Sequence, residues 1–332
     1  MKLTIKDLNK KYLLSFNSIT QLCGSNIPLK KYIIDSICKH FSTEKYREYE
    51  ESFIDNIEID DEIPGRKQWE CYRINSKENI IDFIQLGKGS LLTKYLKEYI
   101  SVFDYQNDLY QIESILVRFF DRLNRELFKD DNLQLSFVSE DVLGMIQHTS
   151  IRTLEDKDIH ELTTTELIEA FINIISKQQE LIPEKRMYIF ENLDHIVGIK
   201  DYKNIVLRCE ELCNKSNIWF VFATSLDGYV YLSDSVMENI NIINEEVFVM
   251  PTIDHIMDFI KDYYPLERQW EKSYVKKCVS NIIQKIGSTE EIFQPEELVL
   301  IKLINETNDI KKYWKKEPKI PEIQCLLSKK VI

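Results

Sequence analysis

Residues 18–31 read SITQLCGSNIPLKK. Residues 18–23 have the apolar and β-branched composition of a strand, and Pro28 suits the first turn of a helix. Apolar residues then recur at helical spacing at Ile33, Ile34, Ile37 and Phe41. A phosphate-binding loop has the pattern G-x-x-x-x-G-K-[ST] between a strand and a helix. Gly24 and Lys30 match the first glycine and the lysine of that pattern, so we predict a degenerate phosphate loop here.

The other positions of this loop depart from the pattern in ways that cost nucleotide binding. Leu29 stands where the second glycine belongs, and its Cβ obstructs the approach of backbone N–H groups to a phosphate. Lys31 offers a cation where a hydroxyl should hold Mg²⁺, and Pro28 removes one N–H donor. We therefore expect no ATPase activity.

A second apolar strand carries a similarly altered end. Residues 187–190 are followed by Glu191 and Asn192, where a working ATPase has an aspartate on Mg²⁺ and an acid that activates water. Residues 203–214 and 218–222 complete a strand–helix–strand unit. The two altered motifs predict an α/β fold with a degenerate P-loop NTPase-like head. The alternative is that both segments are ordinary connections between strands and helices.

The hydrophobic pattern divides the chain into three parts. Residues 1–75 and 151–262 are predicted to form the α/β head, with a helix over residues 166–182. Residues 76–150 show helical periodicity and no strand pattern, which predicts a helical leg inserted into the head. Residues 263–332 are predicted to be a helical C-terminal extension, in which Pro295 begins a helix and the end is rich in lysine.

Composition excludes several classes of protein. No apolar run approaches the roughly 18 residues of a membrane helix and no signal peptide is recognisable, so we expect a cytoplasmic protein. The seven cysteines show no metal-ligand spacing, and the five histidines fit no catalytic pattern. The net charge of the chain is −12, but the charges are unevenly distributed, because residues 1–47 carry nine basic and three acidic side chains. Such segregation lets an acidic protein bind nucleic acid.

A row of cations is predicted on one helix of the leg. Its members recur at helical spacing: Arg118, Arg122, Arg125 and Lys129. A row of this kind can follow the phosphates of a DNA duplex. The alternative is pairing on the helix surface, since Asp121 precedes Arg125 by four residues. Lys30 and Lys31 at the head helix are the second predicted DNA contact.

Two segments resemble a known family. Residues 183–265, especially KRMYIFENLDHIVGIKDYKNIVLRCEELCNKSNIWFVFATS at 185–225, and residues 118–146, RFFDRLNRELFKDDNLQLSFVSEDVLGMI, are similar to the Csn-two proteins of type II-A CRISPR loci, in their longer form with a C-terminal extension. The resemblance implies a degenerate P-loop head, a helical leg and a homotetrameric ring that encloses the ends of double-stranded DNA. It also implies a non-catalytic role in spacer acquisition, beside the CRISPR integrase and the effector nuclease.

Calcium is a further expectation. Short members of that family bind calcium through acidic residues of the leg, and the matching segment here offers Glu126, Asp130, Asp131, Glu140 and Asp141. Several carboxylates within reach suit a hard cation that takes six to eight oxygens. The longer connection between Asp131 and Glu140 departs from the short form, and a solvated acidic turn explains these residues equally well.

Two other functions fit parts of the sequence. An active P-loop nucleotidase or motor would place Lys30 on phosphate and Glu191 on the metal ion. A protein-binding scaffold would use the acidic surface to bind basic partners. Nucleotide binding distinguishes the first of these from a DNA-binding ring, and retention of DNA in moderate salt distinguishes the second.

Overall fold

The computed structural model describes residues 1–7, 10–87, 89–101, 103–127, 135, 149–226, 228–263, 270–287, 295–308 and 310. Its strands are β1 Lys2–Asp7, β2 Lys10–Ser15, β3 Ile19–Cys23, β4 Ile57–Ile59, β5 Glu70–Ile74, β6 Arg186–Glu191, β7 Ile218–Ala223, β8 Ile240–Ile243 and β9 Val247–Val249. Its α-helices are α1 Ile27–His40, α2 Lys77–Ile84, α3 Leu91–Ile100, α4 Phe103–Leu127, α5 Thr164–Leu181, α6 Leu193–Ile196, α7 Ile199–Cys213, α8 Ile253–Tyr263, α9 Lys272–Ile282 and α10 Pro295–Thr307.

The strands form two sheets. A six-stranded sheet has the order β5-β6-β7-β3-β8-β9, in which all neighbours are parallel except β8 and β9. A smaller antiparallel sheet has the order β2-β1-β4. The predicted α/β class is therefore confirmed, with a mostly parallel main sheet.

The central strands are mostly apolar and buried, as expected where helices cover both faces of a parallel sheet. Met187, Tyr188 and Ile189 of β6 are each 0% exposed. Strand β3 is buried at every position and leads directly into the loop before α1. Parallel order places the carboxyl ends of β3, β6 and β7 at one edge of the sheet. Polar residues that follow these strands are therefore neighbours.

The chain divides into two compact units, one of residues 1–75 and 184–332 and the other of residues 76–183. Both sheets lie in the first unit. Helix α5, which sequence analysis places in the head, lies in the second unit because its apolar face packs against α2 and α3. Phe171 of α5 is 0% exposed and lies 6.0 Å from Phe83 of α2, measured between ring centroids.

The described C-terminal helices also differ from the predicted arrangement. Residues of α8, α9 and α10 share one hydrophobic core with Ile242 of β8 and Phe248 of β9. This part of the chain therefore completes the first unit instead of extending from it. The lysine-rich end, residues 311–332, lies outside the described residues. None of the described helices combines the length and the apolarity that a membrane crossing requires.

Candidate functional site

The loop between β3 and α1 follows a strand and precedes a helix, as a phosphate loop does. Its glycine, however, is required for a different structural reason. Gly24 has φ +102°, a conformation that residues with a Cβ rarely adopt. A Cβ at Gly24 would lie 2.3 Å from the carbonyl oxygen of Ile243, at the end of β8. The glycine is therefore required by the close approach of the chain's own backbone.

The N–H groups of this loop are bound by other parts of the chain. The first three bind residues far along the sequence: Gly24 N–H donates to Gln284 Oε1, Ser25 N–H to Asn244 Oδ1 at 2.6 Å, and Asn26 N–H to the Ile243 carbonyl at 3.1 Å. A phosphate bound at a helix N-terminus needs these same donors. Protein oxygens thus already accept the bonds from these donors.

The rest of the loop is satisfied locally. The side chain of Asn26 caps α1, where its Oδ1 accepts the N–H of Leu29 at 3.1 Å. The backbone carbonyl of Asn26 accepts a hydrogen bond from the N–H of Lys30 at 3.0 Å, and the N–H of Ile27 donates to the backbone carbonyl of Ser25 at 2.9 Å. Pro28 has no N–H. From Gly24 to Lys30, every backbone donor has a protein acceptor.

Lys30 is directed into the protein. Its side chain is among the buried charged groups, at 3% exposure, and Nζ donates to the carbonyl of Thr224 at 2.7 Å. Burial lowers the pKa of Lys30 from its ordinary value, because the charged form loses hydration. The prediction that Lys30 contacts DNA is therefore wrong, since its ammonium does not reach the surface. Lys31, one residue later, is exposed.

Gln284 closes the site from the C-terminal part of the first unit. Its Nε2 donates to Thr224 Oγ1 at 3.0 Å and to the Gly228 carbonyl at 3.2 Å, while its Oε1 accepts from Gly24. The backbone carbonyl of Gln284 accepts a bond from Asn244 Nδ2 at 3.3 Å. One amide side chain therefore joins the loop to the residues that follow β7.

Glu191, the predicted metal carboxylate, is bound to a guanidinium. Arg73 of β5 donates from Nε and from Nη2, the latter at 3.0 Å, to the two carboxylate oxygens of Glu191. Arg73 Nη1 also donates to Asp35 Oδ1 at 2.7 Å. The bond to Glu191 raises the pKa of Arg73, so the guanidinium stays charged. Arg73 therefore occupies the carboxylate that the sequence offers as a metal ligand.

Asp194 is a second carboxylate near the same sheet edge. It is 8% exposed and accepts bonds from the backbone N–H of Ser225, at 3.2 Å to Oδ1 and 3.1 Å to Oδ2, and from the Ser225 hydroxyl. A Cβ at Gly228 would lie 2.1 Å from Asp194 Oδ2. Asp194 is thus fixed by the turn after β7 and fastens that turn to α6.

The predicted cation row lies on the surface of α4. Arg118, Arg122 and Arg125 are all exposed. Arg122 lies 3.7 Å from Glu126, with side chains 71% and 64% exposed, so this pair contributes little stability. Asp121, the predicted pairing partner of Arg125, contacts it only through the backbone. The Asp121 carbonyl accepts a hydrogen bond from Arg125 Nε at 3.2 Å. Lys129 lies outside the described residues.

The structure describes one of the five predicted calcium ligands, Glu126. Asp130, Asp131, Glu140 and Asp141 lie outside the described residues, and Glu126 is exposed beside Arg122. Within the described ranges, no group of three or more His, Cys, Asp or Glu side chains has the geometry of a metal site. Calcium binding by this segment stays a prediction.

Sequence reasoning missed the residues that fill the loop. Gln284 and Asn244 lie 260 and 219 positions from their partners Gly24 and Ser25. Asn244 directly follows β8, a neighbour of β3, so a correct prediction of β8 would have placed it at this edge. Nothing in the sequence around Gln284 indicates its role.

Comparison with known proteins identifies a shared fold. No protein-family model and no curated protein sequence matches the chain. The crystal structure of Stu0660 of Streptococcus thermophilus matches with a TM-score of 0.86 and 17% identity, over 98% of this chain and 99% of that chain. This chain has the fold of Stu0660.

Two Smc head structures show a much weaker likeness. The Smc head bound to the C-winged helix domain of ScpA has a TM-score of 0.40 and 15% identity, over 77% of this chain and 98% of that chain. The Smc head with an extended coiled coil bound to the C-terminal domain of ScpA, from Pyrococcus furiosus, has a TM-score of 0.40 and 14% identity, over 79% and 98%. Likeness at this level has no bearing on the function of the chain.

Proposed function

We propose that this chain is a non-catalytic protein of the Csn-two family. In this proposal a homotetrameric ring encloses the ends of double-stranded DNA and acts in CRISPR spacer acquisition, beside the integrase and the effector nuclease. The head would be a P-loop NTPase-like domain that has lost nucleotide binding. The sequence resemblance of residues 118–146 and 185–225 supports the family, and the fold shared with Stu0660 is compatible with it.

The exposed arginines of α4 carry the DNA-binding part of the proposal. Arg118 and Arg125 each direct one N–H to a carbonyl one turn earlier on the same helix, at 3.2 Å. These contacts orient the side chains along the helix and leave the other guanidinium donors to the solvent side. Guanidinium groups spaced along one helix can bind successive phosphates, which fixes the protein on a duplex without reading its sequence.

A second set of cations in the first unit supports the same function. Lys31 follows Lys30 on α1, and the next residue, Tyr32, donates from its hydroxyl to the Lys6 carbonyl at 2.9 Å. Lys6 in turn lies opposite Lys11 in the β1–β2 register. Lys11 and Lys31 are exposed, so the segregated positive charge of residues 1–47 reaches the surface at this point.

The filled loop supports the absence of catalysis. Protein acceptors bind every N–H from Gly24 to Lys30, and Arg73 binds Glu191. Nucleotide would have to displace Gln284 and Asn244 and extract the buried Lys30 ammonium from Thr224. The rival motor hypothesis requires Lys30 and Glu191 to be available, and neither is.

An apolar side of α4 supports self-association. Ile112, Ile115 and Phe119 are 41%, 58% and 48% exposed. They recur at helical spacing and form one continuous line along the helix. Apolar lines of this kind mark interaction surfaces, and closed symmetric oligomers are the commonest way in which soluble proteins bury them.

A gel-shift comparison of two charge-reversal variants tests the proposal. Arg118→Glu with Arg122→Glu should weaken binding to a linear duplex at least tenfold and equally for unrelated sequences, because phosphates and not bases are contacted. Lys200→Glu with Lys203→Glu, on exposed positions of α7, changes the net charge by the same amount and should bind almost as the native chain does. Equal weakening in both variants would mean that net charge alone explains the loss of DNA affinity. Undiminished binding by the arginine variant would refute a DNA contact at α4.

A further inference from the structure

Two cysteines that are distant in sequence meet between α1 and β5. Cys38 and Cys71 are 33 residues apart, and their sulfur atoms lie 4.0 Å from each other. Both side chains are half-buried. An S–S bond is about 2.05 Å long, so the two sulfurs need to approach by only about 2 Å to be joined.

Two other cysteines of the described chain are shielded from such chemistry. Cys23 and Cys209 are each 0% exposed, and burial raises the pKa of Cys23 to about 12. Their complete burial keeps a small disulfide away from both sulfurs, so these two positions resist oxidation.

The two thiols of the pair have different environments. Cys71 donates its S–H to the sulfur of Cys38. This hydrogen bond, together with burial, raises the pKa of the Cys71 thiol. Because Cys71 is the donor and Cys38 the acceptor of this bond, Cys38 is the attacking thiol and Cys71 the resolving thiol.

We propose that Cys38 and Cys71 are a modification site that forms a reversible intramolecular disulfide on contact with a small disulfide such as oxidised glutathione. The Cys38 thiolate attacks one sulfur of glutathione disulfide, the S–S bond of that molecule breaks, and one glutathione leaves as a thiolate that takes up a proton. Cys71 then loses its proton and attacks the Cys38 sulfur, which releases the second glutathione. Two protein thiols are oxidised and one small disulfide is reduced to two thiols.

The disulfide would fasten α1 to the edge strand β5. It would close a loop of 33 residues and so restrict the unfolded chain. The expected result is a rise in Tm of about 5 °C for a protein of this length. The inference does not depend on DNA binding, because it uses neither the α4 arginines nor Lys31. Its failure would leave the proposed function untouched.

Peptide mapping of the oxidised protein tests the proposal. The full chain carrying Cys325→Ser, which removes the thiol outside the described residues, is incubated with excess oxidised glutathione and then blocked with N-ethylmaleimide. The expected product is one disulfide-linked peptide pair containing positions 38 and 71, which dithiothreitol reverses. Its Tm should exceed that of the reduced protein.

Matched variants determine which sulfurs react. Cys38→Ser should abolish both the glutathione adduct and the linked peptide, whereas Cys71→Ser should stop at a stable glutathione adduct on Cys38. Cys213→Ser should form the linked peptide as the parent does. In the parent, a product that stops at the mixed adduct, or a link that includes another cysteine, would overturn the proposal. Because the mapping of the parent is decisive, the outcome stands even where a variant folds poorly.

Discussion

At the scale of single residues, Lys30 is the clearest departure from a working phosphate loop. Its ammonium donates to a backbone carbonyl in the interior, at the place where a motor protein directs its lysine to a phosphate. Moving it to a nucleotide would leave the Thr224 carbonyl unpaired, which costs about 1–3 kcal/mol. Phosphate binding would also require Gln284 to release Gly24.

We therefore expect no turnover of ATP by the purified chain. The expectation is checked by phosphate release at saturating ATP and Mg²⁺, with Lys30→Ala as the comparison. Native chain and variant should both be indistinguishable from buffer. A steady rate that disappears in the Lys30 variant would establish the motor function and remove the non-catalytic proposal.

Lys30 should also leave a mark on the pH dependence of stability. Burial lowers its pKa below the ordinary 10.5, whereas in the unfolded chain the ordinary value applies. At pH values between the two, the unfolded state binds more protons, so the free energy of unfolding rises with pH. The contribution is absent at low pH, where Lys30 is protonated in both states. It should grow by at most about 1.4 kcal/mol per pH unit as pH rises towards 10.5.

Urea unfolding of the native chain and Lys30→Met between pH 7 and pH 10 isolates this effect. The difference in unfolding free energy should move in favour of the native chain as pH rises, because only the native chain carries the buried lysine. A constant difference for Lys30→Met would mean that its ammonium is not buried.

At the scale of secondary-structure elements, the sequence is sufficient to predict the strands and helices whose residue pattern is purely local. Strand β7 and residues 187–190 of β6 are unbroken apolar runs, α1 has a proline in its first turn and α10 begins at one, so each is recognisable without its neighbours. Strand β8 was missed because Asn241 interrupts it. That asparagine is 0% exposed and pairs with the backbone of Ser15 on β2, a compensation that depends on tertiary structure.

The residues of the candidate site divide in the same way, into those that local sequence reveals and those that only the tertiary structure brings together. Gly24, Lys30 and Glu191 could be located from the sequence because a strand and a helix frame each motif. Their partners Gln284 and Arg73 are brought in by chain folding over long distances. A degenerate motif can therefore be recognised locally, but what fills it is decided by the whole fold.

The apolar line of α4 leads to a prediction about assembly. Ile115→Glu with Phe119→Glu should weaken self-association by about tenfold or more, because an interface that buries these side chains would then have to bury two carboxylates. Gln111→Glu with Ser114→Glu adds the same charge at exposed polar positions of the helix and should leave association nearly unchanged. Sedimentation velocity at micromolar concentrations measures both. A native chain that is monomeric with and without calcium would rule out the ring.

At the scale of the whole molecule, charge limits how DNA can be held. The chain carries a net charge of −12, so most of its surface repels a duplex and only segregated cations can attract it. Exposed arginines on α4 and exposed lysines near α1 supply such cations in the two units separately. Contacts of this kind bind phosphates, and each neutralised phosphate releases counterions, so affinity should fall steeply with salt.

Enclosure of the duplex makes a stronger prediction, which concerns DNA topology. A closed ring can load only over an end, so the protein should bind linear duplex and be retained poorly on covalently closed circles of the same sequence. Matched linear and circular DNA are compared by gel shift across a salt series, which separates threading from simple charge attraction. Blocking both ends of the linear duplex with a bulky protein cap should reduce binding to the level of the circle. An ordinary surface contact would give equal affinity for all three substrates at every salt concentration, and that result would exclude enclosure while leaving phosphate binding by α4 in place.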